Sequence, residues 1–167
     1  SLTAVYITDI ASWCRISFHD RESNPLCFAR ILYCNDERVT ELNVPHGITG
    51  IGAWTFANCS SITSVVIPDS VISIDSFAFQ NCSGLKSITI PDTITSISGY
   101  SFTGCSGLNE VNLPDGLVNI KAFAFQNCTS LERLTIGGYC EVRNFAFESC
   151  TSLREINFPE EGVRVNG

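Results

Sequence analysis

Apolar residues recur along this chain at closely spaced and regular positions. In residues 85–107, the triplet Leu85, Ile88 and Ile90 is followed by a second apolar pair, Ile94 and Ile97. Successive side chains of a strand point to opposite faces, so the triplet predicts a short strand with one buried face. The pair predicts a second, shorter strand on another face of the same coil.

Equivalent triplets occur from one end of the chain to the other. They are Leu2, Val5 and Ile7; Val39, Leu42 and Val44; Ile62, Val65 and Ile67; Leu85, Ile88 and Ile90; Leu108, Val111 and Leu113; Leu131, Leu134 and Ile136; and Leu153, Ile156 and Phe158. A turn-forming proline follows most copies, at Pro45, Pro68, Pro91, Pro114 and Pro159, whereas Thr8 and Gly137 depart from the pattern.

A cysteine closes each full copy, and its spacing gives the period. Cys59, Cys82, Cys105 and Cys128 are 23 residues apart, and Cys150 closes a copy that is one residue shorter. A repeat this short cannot bury its apolar face alone, so it predicts a solenoid in which each coil packs on its neighbours. We expect coils of about 23 residues with a parallel sheet, short second strands and a single helical turn near residues 98–104.

The repeat register divides the chain into three parts. Residues 1–8 are predicted to end a preceding coil, and residues 39–167 to form the array, whose last coil stops after Val163 and Val165. Open coils at both ends would expose core residues, so we expect the chain to belong to a longer array.

Residues 9–38 interrupt the repeat and predict an irregular α/β insertion. Asp9 is suited to cap a helix that contains Ile10, Trp13 and Cys14, and a second short helix is expected at residues 26–30. The turn-forming pair at residues 35–36 predicts a hairpin between residues 31–34 and 39–44.

The repeated motif resembles the BspA-like leucine-rich repeats, also called the Treponema pallidum type. The likeness covers roughly residues 39–165, and residues 77–82 and 123–128 have the same sequence, FAFQNC. The insertion resembles a segment that recurs in such proteins. The resemblance implies a leucine-rich-repeat solenoid in a cell-surface or secreted bacterial protein, some relatives of which are adhesins for host extracellular matrix. Tyr139 and Cys140 replace the usual aliphatic residues, which predicts a local distortion.

Charge and hydropathy exclude two classes of partner. The formal net charge is −7, and no basic stripe is present, which disfavours nucleic acid. The chain also lacks the apolar run of about 18 residues that a transmembrane helix requires.

The cysteines that close the coils predict a ladder of buried, reduced thiols rather than a metal site or a row of disulfides. Stacked coils place equivalent Cβ atoms about 4.8 Å apart, whereas a disulfide prefers about 3.8 Å. A bridge among Cys14, Cys27 and Cys34, outside the ladder, remains open. The two histidines, His19 and His46, show no ligand or catalytic spacing. No cofactor motif is present.

Three recurring surface features allow both a functional and a structural interpretation. The aromatic row Trp54, Phe77, Tyr100, Phe123 and Phe145 is interpreted first as packing and second as a recognition stripe. Asp69, Asp92 and Asp115 are interpreted first as turn formers and second as a cation site. The glycosylation-like triplets that begin at Asn58, Asn81 and Asn127 are assigned a structural role.

The outward strand positions provide the candidate binding site. They vary between coils while the buried positions do not, and the candidate residues are Glu110, Asn112, Arg133, Thr135, Glu155 and Asn157. We expect a non-enzymatic module that binds a protein or glycan ligand, such as host extracellular matrix, without a cofactor. The alternative is a structural spacer or stalk that projects another domain. An enzyme whose catalytic domain lies outside these residues is a third possibility.

Overall fold

The chain forms a parallel β-solenoid of about seven turns with very little helix. The computed structural model describes residues 2–158 and the backbone of residues 164–165. The features predicted at Pro159 and Val163 lie outside the described residues.

The helices are α1 (Ile10–Cys14) and α2 (Leu26–Ala29). The strands are β1 (Val5–Ile7), β2 (Leu32–Cys34), β3 (Glu37–Arg38), β4 (Glu41–Asn43), β5 (Gly50–Ile51), β6 (Ser64–Val66), β7 (Ser73–Ile74), β8 (Ser87–Thr89), β9 (Ser96–Ile97), β10 (Glu110–Leu113), β11 (Asn119–Ile120), β12 (Arg133–Ile136), β13 (Glu141–Val142), β14 (Glu155–Asn157) and β15 (Arg164–Val165).

The main sheet contains one strand from each of six successive coils, in the order β14-β12-β10-β8-β6-β4. All neighbouring pairs are parallel, and equivalent residues lie side by side, as in the pairing of Val65 with Leu42 and with Ile88. This register confirms that the apolar triplets mark stacked strands. The middle residues of the triplets are buried from β4 to β12, whereas Ile156 in β14 is 40% exposed.

The second apolar pair of each coil forms the predicted short strands. They pair in parallel as β5-β7 and as β15-β13-β11-β9. β5, β7, β9, β11 and β13 each contribute one buried aliphatic side chain, such as Ile74, Ile97 or Ile120, to a core that is continuous along the described coils. The solenoid is therefore closed by apolar ladders on two faces.

The third side of each coil is a chain of tight turns rather than a turn of α-helix. Residues 98–105 contain three hydrogen bonds between residues i and i+3, for example from Thr103 N–H to Tyr100 O. Tyr100 and Gly104 have φ values of 61° and 74°, so the backbone enters the left-handed region twice and helix cannot propagate. The same conformation occurs at Trp54, Phe77, Phe123 and Phe145, with φ between 61° and 64°.

The insertion packs onto the core of the array. The Asp9 carboxylate accepts hydrogen bonds from the backbone N–H groups of Ala11 and Ser12, as predicted for the cap of α1. Trp13 is buried, and its indole N–H donates to the Thr55 carbonyl at 3.0 Å. Helix α2 buries Leu26 completely.

The predicted hairpin was wrong in its second strand. β2 pairs antiparallel with β3, and Asn35 and Asp36 form the turn with φ values of 51° and 65°. Residues 41–43 instead form β4 and pair with β6 in the main sheet. The two positive φ values allow a two-residue hairpin turn, and so the returning strand begins at Glu37.

β1 and β2 pair in parallel within a separate three-stranded sheet, of order β1-β2-β3. Val5 and Ile7 pack against the common core, and Tyr6 between them is exposed. β1 therefore has the inward and outward alternation of an array strand, although it has no direct pairing with β4.

Candidate binding surface

The six candidate residues lie together on three adjacent strands of the main sheet. One row consists of Glu110, Arg133 and Glu155, which occupy paired positions on β10, β12 and β14. A second row consists of Asn112, Thr135 and Asn157, paired in the same way. The structure brings all six onto one face, where they are exposed or half-buried.

The first row contains an ion pair between neighbouring coils. The Arg133 guanidinium donates to a carboxylate oxygen of Glu110 at 2.8 Å, and both side chains are partly exposed. This hydrogen bond and the adjacent positive charge lower the pKa of Glu110, while Glu110 raises the pKa of Arg133. Glu110 is consequently ionised at neutral pH, and the row alternates negative, positive and negative charge.

Other polar groups near this face are also paired. The Asn157 amide donates to the Glu155 carboxylate at 3.1 Å, and Arg154 forms an ion pair with Glu132 of the preceding coil. These contacts link side chains within one strand and between neighbouring coils. They also mean that a partner would exchange existing hydrogen bonds for new ones.

A ladder of phenylalanine rings holds the coils in register. Phe56, Phe79, Phe102, Phe125 and Phe147 stack in succession, with centroid separations of 5.3 to 5.5 Å and interplanar angles of at most 11°. Four of these rings are fully buried, and only Phe147 at the end is half-buried. The sheet is thus supported by a continuous aromatic column.

The cysteine ladder has a bonding role that the sequence analysis did not predict. Four of the five ladder thiols, from Cys82 to Cys150, donate to the carbonyl of a phenylalanine in the preceding coil, for example from Cys105 Sγ to Phe79 O at 3.2 Å and from Cys128 Sγ to Phe102 O at 3.3 Å. Cys59 at the start of the ladder instead contacts the Ser61 hydroxyl at 3.4 Å. All nine cysteines are free thiols. Burial raises the pKa of Cys82 and Cys105 well above the ordinary value, so these thiols remain protonated.

The second aromatic row stacks as the structural interpretation predicted. Trp54, Phe77, Tyr100, Phe123 and Phe145 have centroid separations of 4.1 to 5.2 Å between neighbours. The first four are half-buried, and Phe145 is 56% exposed. The rings cover one another face to face, so the row offers mainly ring edges to solvent.

Neither the aspartate row nor the histidines form a metal-binding cluster among the described residues. Asp69, Asp92 and Asp115 are exposed turn residues, and no group of three potential metal-ligating side chains occurs among the described residues. His19 is exposed and contacts Asp20 at 3.1 Å. In the described part of the chain, neither helix has the length and apolar character required to cross a bilayer.

A polar cleft beside the insertion was not predicted from the sequence. Its volume is about 490 Å³, and it lies between the β2–β3 hairpin and β4, with Arg38 and Glu41 in its wall. The sequence signal was available only in part. The turn at residues 35–36 was recognised, but the second hairpin strand was placed at residues 39–44, which left no space between the hairpin and β4.

These features define the class as a leucine-rich-repeat solenoid, and the comparisons with known proteins agree. The model of the BspA type leucine rich repeat region matches residues 29–141 and 73–166, with six copies. The chain therefore belongs to the BspA-type leucine-rich-repeat family. Comparison with curated protein sequences finds no significant match.

Solved structures of bacterial proteins show the same fold. A leucine rich cell surface protein from Faecalibacterium prausnitzii A2-165 is 34% identical, with a TM-score of 0.69 over 74% of this chain and 32% of that one. A leucine-rich repeat protein from Bacteroides ovatus is 33% identical, with a TM-score of 0.65 over 71% and 33%. The T. pallidum leucine rich repeat protein is 22% identical, with a TM-score of 0.73 over 98% and 66%. The chain thus spans about a third of the length of the first two proteins.

Proposed function

We propose that this chain is a non-enzymatic binding module of a cell-surface or secreted protein. Its outward strand face at β10, β12 and β14 would bind a protein or a glycan, with host extracellular matrix as the first class to test. The observation that supports this most strongly is the ordered grid of Glu110, Arg133, Glu155 and their neighbours on a continuous parallel sheet.

The rigidity of the sheet favours binding. Outward side chains project from strands whose positions are set by buried aliphatic, phenylalanine and thiol ladders. Because the surface is ordered before a partner arrives, less conformational entropy is lost on association. Arg133 lies at the centre of the grid between two carboxylates, and arginine is among the residue types that dominate binding energy at interfaces.

The cell-surface or secreted location is proposed from the likeness to the Faecalibacterium prausnitzii cell surface protein. We also propose that residues 1–8, 9–38 and 39–167 are the end of a coil, an insertion and the array. The chemistry of the six grid residues, rather than the location, determines which partner is bound.

The test measures binding of the full 167-residue chain to immobilised matrix proteins and bacterial glycans by surface plasmon resonance. Arg133→Ala and Glu155→Ala are expected to weaken capture about tenfold, in the range for hydrogen bonds to charged groups. Lys121→Ala is the matched control, since Lys121 is an exposed cation outside this face. Absence of capture, or equal capture by all variants, would favour a structural spacer instead.

A further inference from the structure

The main sheet has one weakly paired boundary, between β8 and β10, which we call the seam. On either side of the seam, neighbouring strands pair over three or four residues, as β6 does with β8 and β10 with β12. Across the seam, the pairing is reduced to Asn112 with Thr89. The parallel ladder is therefore interrupted inside the array, far from either edge of the sheet.

A backbone hydrogen bond is lengthened at the same place. The Asn109 N–H donates across the seam to Lys86 O at 3.3 Å. At the boundary before the seam, the equivalent bond from Lys86 N–H to Thr63 O is 2.8 Å. At the boundary after it, the bond from Glu132 N–H to Asn109 O is also 2.8 Å. The two strands are thus held less closely at the seam than at the boundaries on both sides.

The seam is also open at the surface of the sheet. Ile88, the middle residue of β8, is 7% exposed, whereas Val65 is 1% exposed and Val111 is fully buried. A cavity of about 320 Å³ lies between the strands and is lined by both of them and by the turns that follow. This volume is enough for several water molecules, at about 30 Å³ each. Backbone groups that lose a partner at the seam can therefore bond to water.

No side chain ties the two strands together. Within residues 2–158, no side-chain hydrogen bond or ion pair joins residues 86–89 to residues 109–112. The coils beyond the seam differ, because Arg133 pairs with Glu110 and Arg154 pairs with Glu132. β10, β12 and β14, with all six candidate binding residues, therefore form one block that is linked within itself and separated from β8.

The opposite side of the same coil boundary is closed. β9 and β11 pair at both of their residues, and the Lys121 N–H donates to Ile97 O at 2.9 Å. The phenylalanine ladder also continues, with Phe102 stacked on Phe125 at 5.3 Å. A gap on one side with intact contacts on the other forms a wedge, and the closed side can serve as its pivot.

We infer that the seam is a hinge, about which the block of β10, β12 and β14 tilts relative to the block of β4, β6 and β8. In hinge motion a few backbone positions change conformation while the packed elements move as rigid bodies. Here the tilt breaks only the few hydrogen bonds of the seam, and the second sheet and the phenylalanine ladder stay packed. It changes the direction in which the grid of Glu110, Arg133 and Glu155 faces, without altering the spacing within the grid. The hinge does not depend on which partner, if any, this face binds.

The experiment measures amide hydrogen exchange by NMR on the full 167-residue chain, residue by residue and corrected for intrinsic rates. Opening at the seam should make the Asn109 N–H exchange at least about tenfold faster than the equivalent Glu132 and Lys86 N–H groups. The Lys121 N–H, on the closed side of the same boundary, should be protected like Glu132. Fraying from the chain end would give a different order, because Glu132 lies nearer that end.

A variant that bridges the seam tests the motion directly. Ser87 occupies on β8 the position that Glu110 occupies on β10, so Ser87→Arg can form the same ion pair that Arg133 forms. It should slow exchange of the Asn109 N–H about threefold, as for an exposed ion pair. Ser87→Gln, similar in length but uncharged, is the matched control and should exchange like the wild type. Unchanged protection of Glu132 shows that both variants are folded.

Three results would overturn the hinge. Equal protection of Asn109 and Glu132 in the wild type would show that the seam does not open. Rapid exchange of Lys121 together with Asn109 would mean that the whole coil boundary unfolds, without a pivot. Exchange of Asn109 at the same rate in Ser87→Arg and in the wild type would show that the two strands do not move relative to each other.

Discussion

Truncation of a ring inside the phenylalanine ladder should be among the most destabilising changes in this protein. Phe102 is completely buried and stacks on Phe79 at 5.5 Å and on Phe125 at 5.3 Å. Phe→Ala substitutions in well-packed cores cost about 3–5 kcal/mol. Each of the two ring pairs accounts for roughly 0.5–1.5 kcal/mol within that cost. We therefore expect Phe102→Ala to lower the free energy of unfolding by about 4 kcal/mol.

Phe147 provides an internal comparison, because it has the same chemistry with half the contacts. It stacks only on Phe125, at 5.4 Å among the described residues, and it is half-buried. Scaling the core value by the lost burial and the single ring pair, we expect Phe147→Ala to cost about 2 kcal/mol. The two variants should therefore differ by about 2 kcal/mol.

Urea unfolding followed by circular dichroism at 25 °C measures this difference through the transition midpoints and slopes. Phe102→Leu is the matched control, since it keeps most of the apolar volume but removes both ring stacks. It should fall between wild type and Phe102→Ala. If Phe102→Ala were no more destabilised than Phe147→Ala, the ladder would not be a cumulative source of stability.

Three further predictions concern charge, backbone conformation and pH. Arg133→Ala should leave the urea-unfolding midpoint almost unchanged, because exposed ion pairs contribute little to stability. In the same variant, NMR titration should show the pKa of Glu110 rising, because its hydrogen bond and neighbouring positive charge are lost. Gly104→Ala should cost about 1–2 kcal/mol in urea unfolding, because φ is +74° and the new Cβ would lie 2.1 Å from Asn81 Oδ1. The urea concentration at the unfolding midpoint should decrease as the pH is raised beyond about 9. The reason is that burial in the folded state raises the pKa of Cys14 to about 12 and that of Cys150 to about 11, from 9.0.

The sign of the pH effect follows from the protons bound in each state. Above pH 9.0 the unfolded chain loses its thiol protons while the folded chain retains them, so stability is full below that pH and declines as pH rises. A midpoint that is constant from pH 8 to pH 10.5 would contradict the buried thiols. Unchanged stability of Gly104→Ala, or an unshifted Glu110 titration in Arg133→Ala, would contradict the other two predictions.

The repeat period was readable from sequence because identical positions in successive coils share one environment. The residues Val65, Ile88 and Val111 are all buried and aliphatic, and their spacing alone predicted the parallel stacking that the structure confirms. The aromatic row beginning at Trp54 was also predicted to pack on itself, and it does. Each coil of a solenoid makes the same contacts with its neighbours, so a repeated sequence pattern corresponds directly to repeated positions in the structure.

The tight turns on the third side of each coil, such as residues 98–105, were not predicted, and the reason is conformational. Aromatic residues rarely adopt positive φ, because the left-handed region brings Cβ close to the carbonyl oxygen, yet Trp54, Phe77 and Tyr100 all adopt it. Stacking on neighbouring rings provides a stabilisation that depends on the adjacent coils. No local propensity could have revealed it.

Sequence by itself determined the coil length, the inward and outward alternation of the strands, and the grid that contains Glu110, Arg133 and Glu155. Only tertiary structure decided which outward charges are paired and which are free, because that depends on side-chain reach between coils. It also decided that β3 ends the hairpin and leaves a cleft beside β4. The packing of a non-repeating insertion against a repeating array has no period from which to predict it.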